Sequence, residues 1–224
     1  MALVPVYLGD AGGSTGGTTG SFTPTANSLM FASAGCRASA STLTVPAITD
    51  SATLTWTEID ATLLDQGSST RNRSRLMYAI APGSPAAMTV TVSASNTVRC
   101  GVMVFEIVGA DQTFLSNFSH APTDSANPGA AFTGDPTVVI GSLPNFYSTL
   151  LGFVWMAGNG GITPPTGYTE LTEVGYGSDI KGELIYKTGV TSDTLVWNTP
   201  NSASGVILLE VRPPNLPRGQ GMVL

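Results

Sequence analysis

The chain is short of charge. Asp, Glu, Lys and Arg make up 11% of its 224 residues, against roughly 25% in ordinary soluble proteins. Ser, Thr, Asn and Gly therefore supply most of the polar surface, which suits contact over wide neutral areas. The basic residues are scarcest: nine Lys and Arg against fifteen Asp and Glu leave a net charge of −6. That excludes the basic footprint a nucleic-acid binder needs to neutralise phosphates. The one histidine, His120, leaves Ser-His-Asp chemistry a single base, and a zinc site would need more His and Cys than the chain has. The acidic stretches lack the Ca²⁺-loop pattern, and no Gly-rich loop carries the Lys of a phosphate cradle. Gly12–Gly16 matches G-x-S-x-G only inside a low-complexity tract, without the strand and helix such an elbow requires. No cofactor or metal is expected.

Long apolar runs are missing as well. Nothing approaches the roughly 18 consecutive apolar residues of a membrane span. The opening MALVPVYLGDAGG lacks the basic and apolar regions of a signal peptide. Synthesis in a reducing cytoplasm is therefore expected. Two cysteines make no disulfide framework. Cys36 and Cys100 would approach if the strands beside them were antiparallel neighbours, but in that compartment two free thiols are the expectation.

What the chain has is β-strand grammar. Segments such as STLTVPAI, ATLTWTEI, RLMYAIA, MTVTVSA, VMVFEIV, PTVVIGSL, TLLGFVWMA, ELIYKTG and DTLVWNT are rich in Val, Ile, Thr and aromatics, and lie between Gly, Pro, Asn, Asp and Ser clusters. No window sustains a helical apolar stripe for three turns without meeting Gly or Pro. This predicts an all-β, antiparallel β-sandwich.

An internal echo organises the strands. SLMFASAG, TWTEI, LMYAI, MTVTVSA and GVMVFEIVG (28–109) recur in order as TLLGFVWMAG, GYTEL, LIYKT, DTLVWNT and GVILLEVRP (149–213). Two copies are too few for a solenoid. They predict one sandwich domain over 21–212, with repeat halves 21–109 and 135–212 joined by a bridge, 110–134, and contributing to shared sheets. Residues 1–20 read as a Gly/Thr-rich arm or edge strand, and 213–224 as an extended, Pro-rich tail.

The echo pairs Glu106 with Glu210. Two carboxylates could serve a glycosidase if roughly 5–10 Å apart across a cleft. Duplication explains the pair without chemistry, and strand alternation puts each glutamate after two inward apolar side chains. They read as structural, with Arg212 a candidate partner for Glu210. Trp56 and Tyr168 occupy matching positions, as do Tyr78 and Tyr186, which indicates packing roles. Three places remain for interactions. Arg71, Arg73 and Arg75 read as a solvated loop, or as a docking loop for an acidic neighbour. Tyr176, in VGYGSD, is the best single candidate for an exposed contact. The tail residues Pro213, Pro214, Leu216, Pro217 and Arg218 could lie along a neighbouring subunit, since Pro favours an extended path.

The ordered set of TANSLMFASA or FYSTLLGFVWM, LTWTEI or PxGYTEL, LMYAI or LIYKT, TVTV and VMVFEIVG resembles the jelly-roll-like β-sandwich proteins encoded among virion genes of tailed bacteriophages. The resemblance runs over residues 20–212 and implies a non-enzymatic virion structural protein, such as a capsid decoration, head-fibre or tail-tip component. It carries over no catalytic or ligand residue. Its implied partners are other virion proteins, a major capsid or tail protein among them. As a repeated building block it is expected to form a cyclic homo-oligomer, with a trimer as the working expectation. The rival reading is a tail-tip or surface module that binds a receptor or surface glycan.

Overall fold

The computed structural model describes residues 3–38, 45–66, 70–112, 118–122, 137–141, 148–158, 160–190, 192–198 and 204–214. Among these it is all-β and antiparallel. The first half carries β1 (Pro5–Gly13), β2 (Gly16–Thr18), β3 (Leu29–Ala38), β4 (Ala47–Asp50), β5 (Thr57–Gln66), β6 (Thr70–Ile80), β7 (Val90–Ser93) and β8 (Arg99–Ile107). The second carries β9 (Phe118–Pro122), β10 (Thr137–Ile140), β11 (Thr149–Ala157), β12 (Thr169–Tyr176), β13 (Ile180–Thr188), β14 (Asp193–Val196) and β15 (Ser204–Val211).

The sheet orders are β1-β8-β3-β6-β5 with β2-β7-β4, and β9-β15-β11-β13-β12 with β10-β14. An isolated bridge, Thr163 to Asn198, lies beside β14 where β4 lies beside β7. Read in chain order, the first half winds as a jelly roll: its strands alternate between a 1-8-3-6 sheet and a 2-7-4 sheet, with β5 added to the larger. The second half winds the same way. All five echoed landmarks fall on topologically equivalent strands. Even the irregularities agree, since β5 bulges at Ile59 and β12 at Leu171, in TWTEI and GYTEL.

The expectation of shared sheets is corrected. No named strand of the first half pairs with one of the second. Each half builds its own sandwich, and the two five-stranded sheets stack back to back. The result has four layers with three apolar seams. The central seam joins Leu29, Phe31, Met103 and Phe105 to Leu151, Phe153, Trp155 and Leu184. Met30, Ala32, Ala34, Val90, Val92 and Val102 fill the first sandwich. Val138, Val154, Leu195, Trp197 and Leu208 fill the second. Period-two alternation makes this possible: β3 sends its odd residues to the central seam and its even ones to the small sheet, so both faces are buried and the strand reads as a near-continuous apolar run.

Two devices hold the central seam. At one end Phe31 stacks on Phe105 with centroids 5.0 Å apart, and Phe153 tilts against Phe105 at 5.4 Å. At the other, Gly12, Gly101 and Gly35 stand opposite one another across β1, β8 and β3. This bare row is a trench for two rings from the second half. Trp155 lies over Gly35 and Gly182, and Tyr176 over Gly12 and Gly101; a Cβ at any of the four would overlap a ring. Trp155 Nε1 donates to Ser33 Oγ at 2.9 Å, and its carbonyl accepts from Asn72 Nδ2 at 3.2 Å.

Of the two readings of the head, the edge strand holds and the free arm does not: Gly9, Gly12 and Gly13 lie in β1 and Gly16 and Gly17 in β2, each strand at the edge of its sheet. The cysteine expectation is also corrected. Cys36 and Cys100 are direct cross-strand partners on β3 and β8, with Cα atoms 4.1 Å apart, and they form a disulfide inside the first sandwich.

Gly35→Ala is expected to lower the unfolding free energy by about 1–3 kcal/mol through overlap with the Trp155 indole, measured by urea denaturation. The paired substitution Cys36→Ala with Cys100→Ala should cost roughly 2–4 kcal/mol, because the bond closes residues 64 apart in sequence. A chain whose mass does not change on reduction would contradict the pairing.

Candidate functional site

Glu106 and Glu210 do not meet. Each sits on the face of its five-stranded sheet that points away from the other half, next to Val104 and Leu208 respectively. Both sheets lie between them, and stacked sheets alone are about 10 Å apart. No common cleft exists for a glycosidase pair. Each carboxylate instead ties the chain leading into a central strand. Glu106 accepts from Thr25 N at 2.7 Å, Thr25 Oγ1 at 2.7 Å and Ser28 Oγ at 2.6 Å. Glu210 accepts from Ser148 Oγ and from Arg212 Nη2 at 2.9 Å. Ser28 precedes β3 and Ser148 precedes β11, so the two halves make the same seryl–glutamate tie. Burying a carboxylate is tolerable only with such donors.

The arginines are not in a loop. Arg71, Arg73 and Arg75 lie along β6, opposite Ala38, Cys36 and Ala34. Their spacing of two is the strand period, which the loop reading missed. Arg75 Nη1 donates to Pro46 O at 2.9 Å, and its Nε lies 2.5 Å from Glu58 Oε2 at an angle outside hydrogen-bond geometry. Arg73 is half-buried, with no hydrogen-bond partner for its Nε among the described residues. The Arg71 side chain lies outside the described residues.

Tyr176 is not a surface contact. It is half-buried in the joint between the halves, and its hydroxyl donates to Asp10 Oδ2 at 2.7 Å. Tyr7 donates to the other oxygen of Asp10. Burial, then the bond to Asp10, raises both tyrosines well above the ordinary phenol range, so both are neutral donors. Nearby, Asp179 in the β12–β13 turn meets Arg37 at 3.3 Å and Arg99 at 3.4 Å. These contacts fasten one half to the other. Of the tail, Pro213 is half-buried and Pro214 exposed, directly after β15; Leu216, Pro217 and Arg218 lie outside the described residues.

Two arrangements escaped the sequence reading. Glu183, on β13, is fully buried in the second sandwich, among Val154, Leu195 and Trp197. Trp197 Nε1 donates to its Oε2 at 2.7 Å, while Oε1 has no hydrogen-bond partner among the described residues. Burial pushes its pKa up to about 7 from 4.5; the Trp197 bond opposes the shift, Glu170 and Glu173 add to it, and Lys181 opposes it. The second arrangement is a groove beside Asp50 and Trp56, at the open side of the first sandwich. Among the described residues no cluster of His, Cys, Asp or Glu could hold a metal ion.

No protein-family model, no curated protein and no solved structure matches the chain.

The titration of Glu183 has a definite sign. Between pH 4.5 and about 7 the unfolded chain releases this proton while the folded chain retains it, so stability falls as pH rises through that window. Glu183→Gln keeps an acceptor for Trp197 and removes the buried charge. At pH 8 it should be more stable than the parent by on the order of 2–4 kcal/mol, with little difference at pH 4. Calorimetric melts across this range test it, and a parent with no such slope would refute the assignment.

Proposed function

We propose that the chain is a non-enzymatic structural component of a tailed-bacteriophage virion, a capsid decoration or head-fibre protein seated on the particle surface. The observation that carries this reading is the character of the two outer layers. β2, β7 and β4 turn Thr18, Thr91, Ser93 and Thr49 outward, and β10 and β14 turn out Thr137, Val139, Thr194 and Val196. None of these is charged. Thr18, Thr91 and Thr49 stand opposite one another across three strands, with the Thr18 and Thr91 hydroxyls 2.8 Å apart. A neutral outer face loses little on desolvation and fits a broad contact repeated many times, whereas a charged one would resist it.

The fate of the polar groups supports the same reading. Glu106, Glu210, Asp10 and Asp179 are bonded into the scaffold. That is what a load-carrying block needs. The resemblance to virion sandwiches supplies the partner class, a major capsid or tail protein, and the expected assembly is a cyclic homo-oligomer, a trimer.

Light scattering of the purified chain is expected to give the mass of that oligomer. Shells of the particle whose genome encodes the chain should carry it down on sedimentation. Two paired variants, Thr49→Lys with Thr91→Lys and Val139→Lys with Val196→Lys, each charge one outer face. One of them should lose shell binding while keeping the parent circular dichroism. If the parent stays in the supernatant, or both variants bind as it does, the reading fails.

A further inference from the structure

In the first sandwich β4 ends the small sheet and β5 ends the large one, and the two do not pair. The open side holds a groove of about 400 Å³, lined by Ile48, Asp50, Thr53, Leu54, Trp56 and Met77. Its wall is built with care. Asp50 closes β4, and its carboxylate accepts from Ala52 N at 2.7 Å, from Leu54 N at 3.1 Å and from Trp56 Nε1 at 2.9 Å. One side chain therefore fixes both the turn and the plane of the indole. Inside that turn Thr53 has φ 58°, a left-handed conformation that a β-branched residue rarely adopts. Strain of this kind persists where the surroundings over-determine it, and it clusters at binding sites.

The second half shows what an unused version looks like. Tyr168 holds the position of Trp56, and its hydroxyl donates to Asp193 at 3.1 Å. Its ring is covered by Lys187, whose ammonium lies 5.2 Å from the centroid and 2.7 Å from Asp193. Lys187 follows Tyr186, which pairs with Thr169; in the first half Tyr78 pairs with Thr57, and the next residue is Ala79. Alanine cannot cover the neighbouring ring. The indole of Trp56 is half-buried like the Tyr168 ring, but among the described residues no cation lies over it where it borders the groove.

The lining narrows the ligand. An anion would find no lysine or arginine among the lining side chains. A purely apolar ligand would strand Asp50 and Thr53, which line the same space. A neutral molecule with one C–H face and a rim of hydroxyls satisfies both walls. We propose that this groove binds a neutral pyranose, stacked on the Trp56 indole, with its hydroxyls directed to Asp50 and Thr53. The size falls in the range of small-ligand sites. The inference stands on the groove alone and does not require that the chain belong to a particle.

The test is titration of the ¹⁵N-labelled full chain with methyl glycosides of glucose, galactose, mannose and N-acetylglucosamine, following the three indole N–H signals. Trp155 and Trp197 are fully buried with their N–H groups bonded to Ser33 and Glu183, so only Trp56 should respond. At least one glycoside should shift that signal saturably, with a dissociation constant on the order of 1 mM. Trp56→Ala should abolish binding, and Asp50→Asn should weaken it roughly tenfold while Tyr168→Phe leaves it unchanged. Binding that survives in Trp56→Ala overturns the proposal. So does a parent chain that responds to none of the glycosides, or only to an apolar probe such as N-acetylphenylalanine amide. A chain that binds glycoside but ignores virion shells would sustain this site and reject the particle reading.

Discussion

The molecule depends on a row of absent side chains. Gly12, Gly101 and Gly35 lie abreast on three strands of the first sheet, and the rings of Trp155 and Tyr176 fill the trench they leave. Two sheets packed face to face normally interleave side chains from both sides. Here one side withdraws and the other supplies large rigid rings, which sets the spacing at that end as the phenylalanine stack sets it at the other. Once the halves are locked at that distance, Asp179 can reach Arg37 and Arg99, and Asp10 can hold Tyr7 and Tyr176. The back-to-back arrangement leaves the two small sheets as the outer layers.

Among the described residues the three buried glutamates follow one rule with one exception. Glu106 and Glu210 each gather donors from the segment entering a central strand, so their charge is compensated and each sandwich closes at the same corner. Glu183 does not follow the rule. Among the described residues it has one donor, Trp197, and its burial raises its proton affinity. The bond joins β13 of the large sheet to the residue just beyond β14 of the small one, which links the layers at the cost of a pH-sensitive group. The first half has a covalent tie of another kind, the Cys36–Cys100 bond between adjacent strands of one sheet, with no counterpart among the described residues of the second.

Much of the fold was legible because strand grammar is local. Alternation and turn residues marked the strands, and the echo picked out five pairs of segments that prove topologically equivalent, down to the bulges at Ile59 and Leu171. The structural role of the glutamates was legible too, since their place in the echo argued against a shared cleft. The failures have a common form. Glycine was read as punctuation, yet Gly12, Gly35 and Gly101 lie inside strands. Arg71, Arg73 and Arg75 were read as a loop, although their spacing of two is itself a strand signal. Flanking glycines make Tyr176 read as exposed, whereas its ring lies over glycines of the other half. Asp50 and Trp56 drew no attention as a pair, since a side chain six residues away along an irregular turn leaves no periodic trace.

By itself the sequence determined the class of the molecule: all-β and antiparallel, with both faces of its central strands largely apolar. Those properties are carried by residue type and period, and they survive any choice of partner strand. Only the tertiary structure decided that the halves build separate sheets, that Cys36 meets Cys100, that three distant glycines form one trench, and that Asp50 holds the Trp56 indole beside a groove. Each of these is a matter of which residues stand opposite one another across strands. Strand pairing is set by hydrogen bonds whose donors and acceptors are the same in every residue but proline, so register is chosen by the fit of whole faces and not by any local pattern.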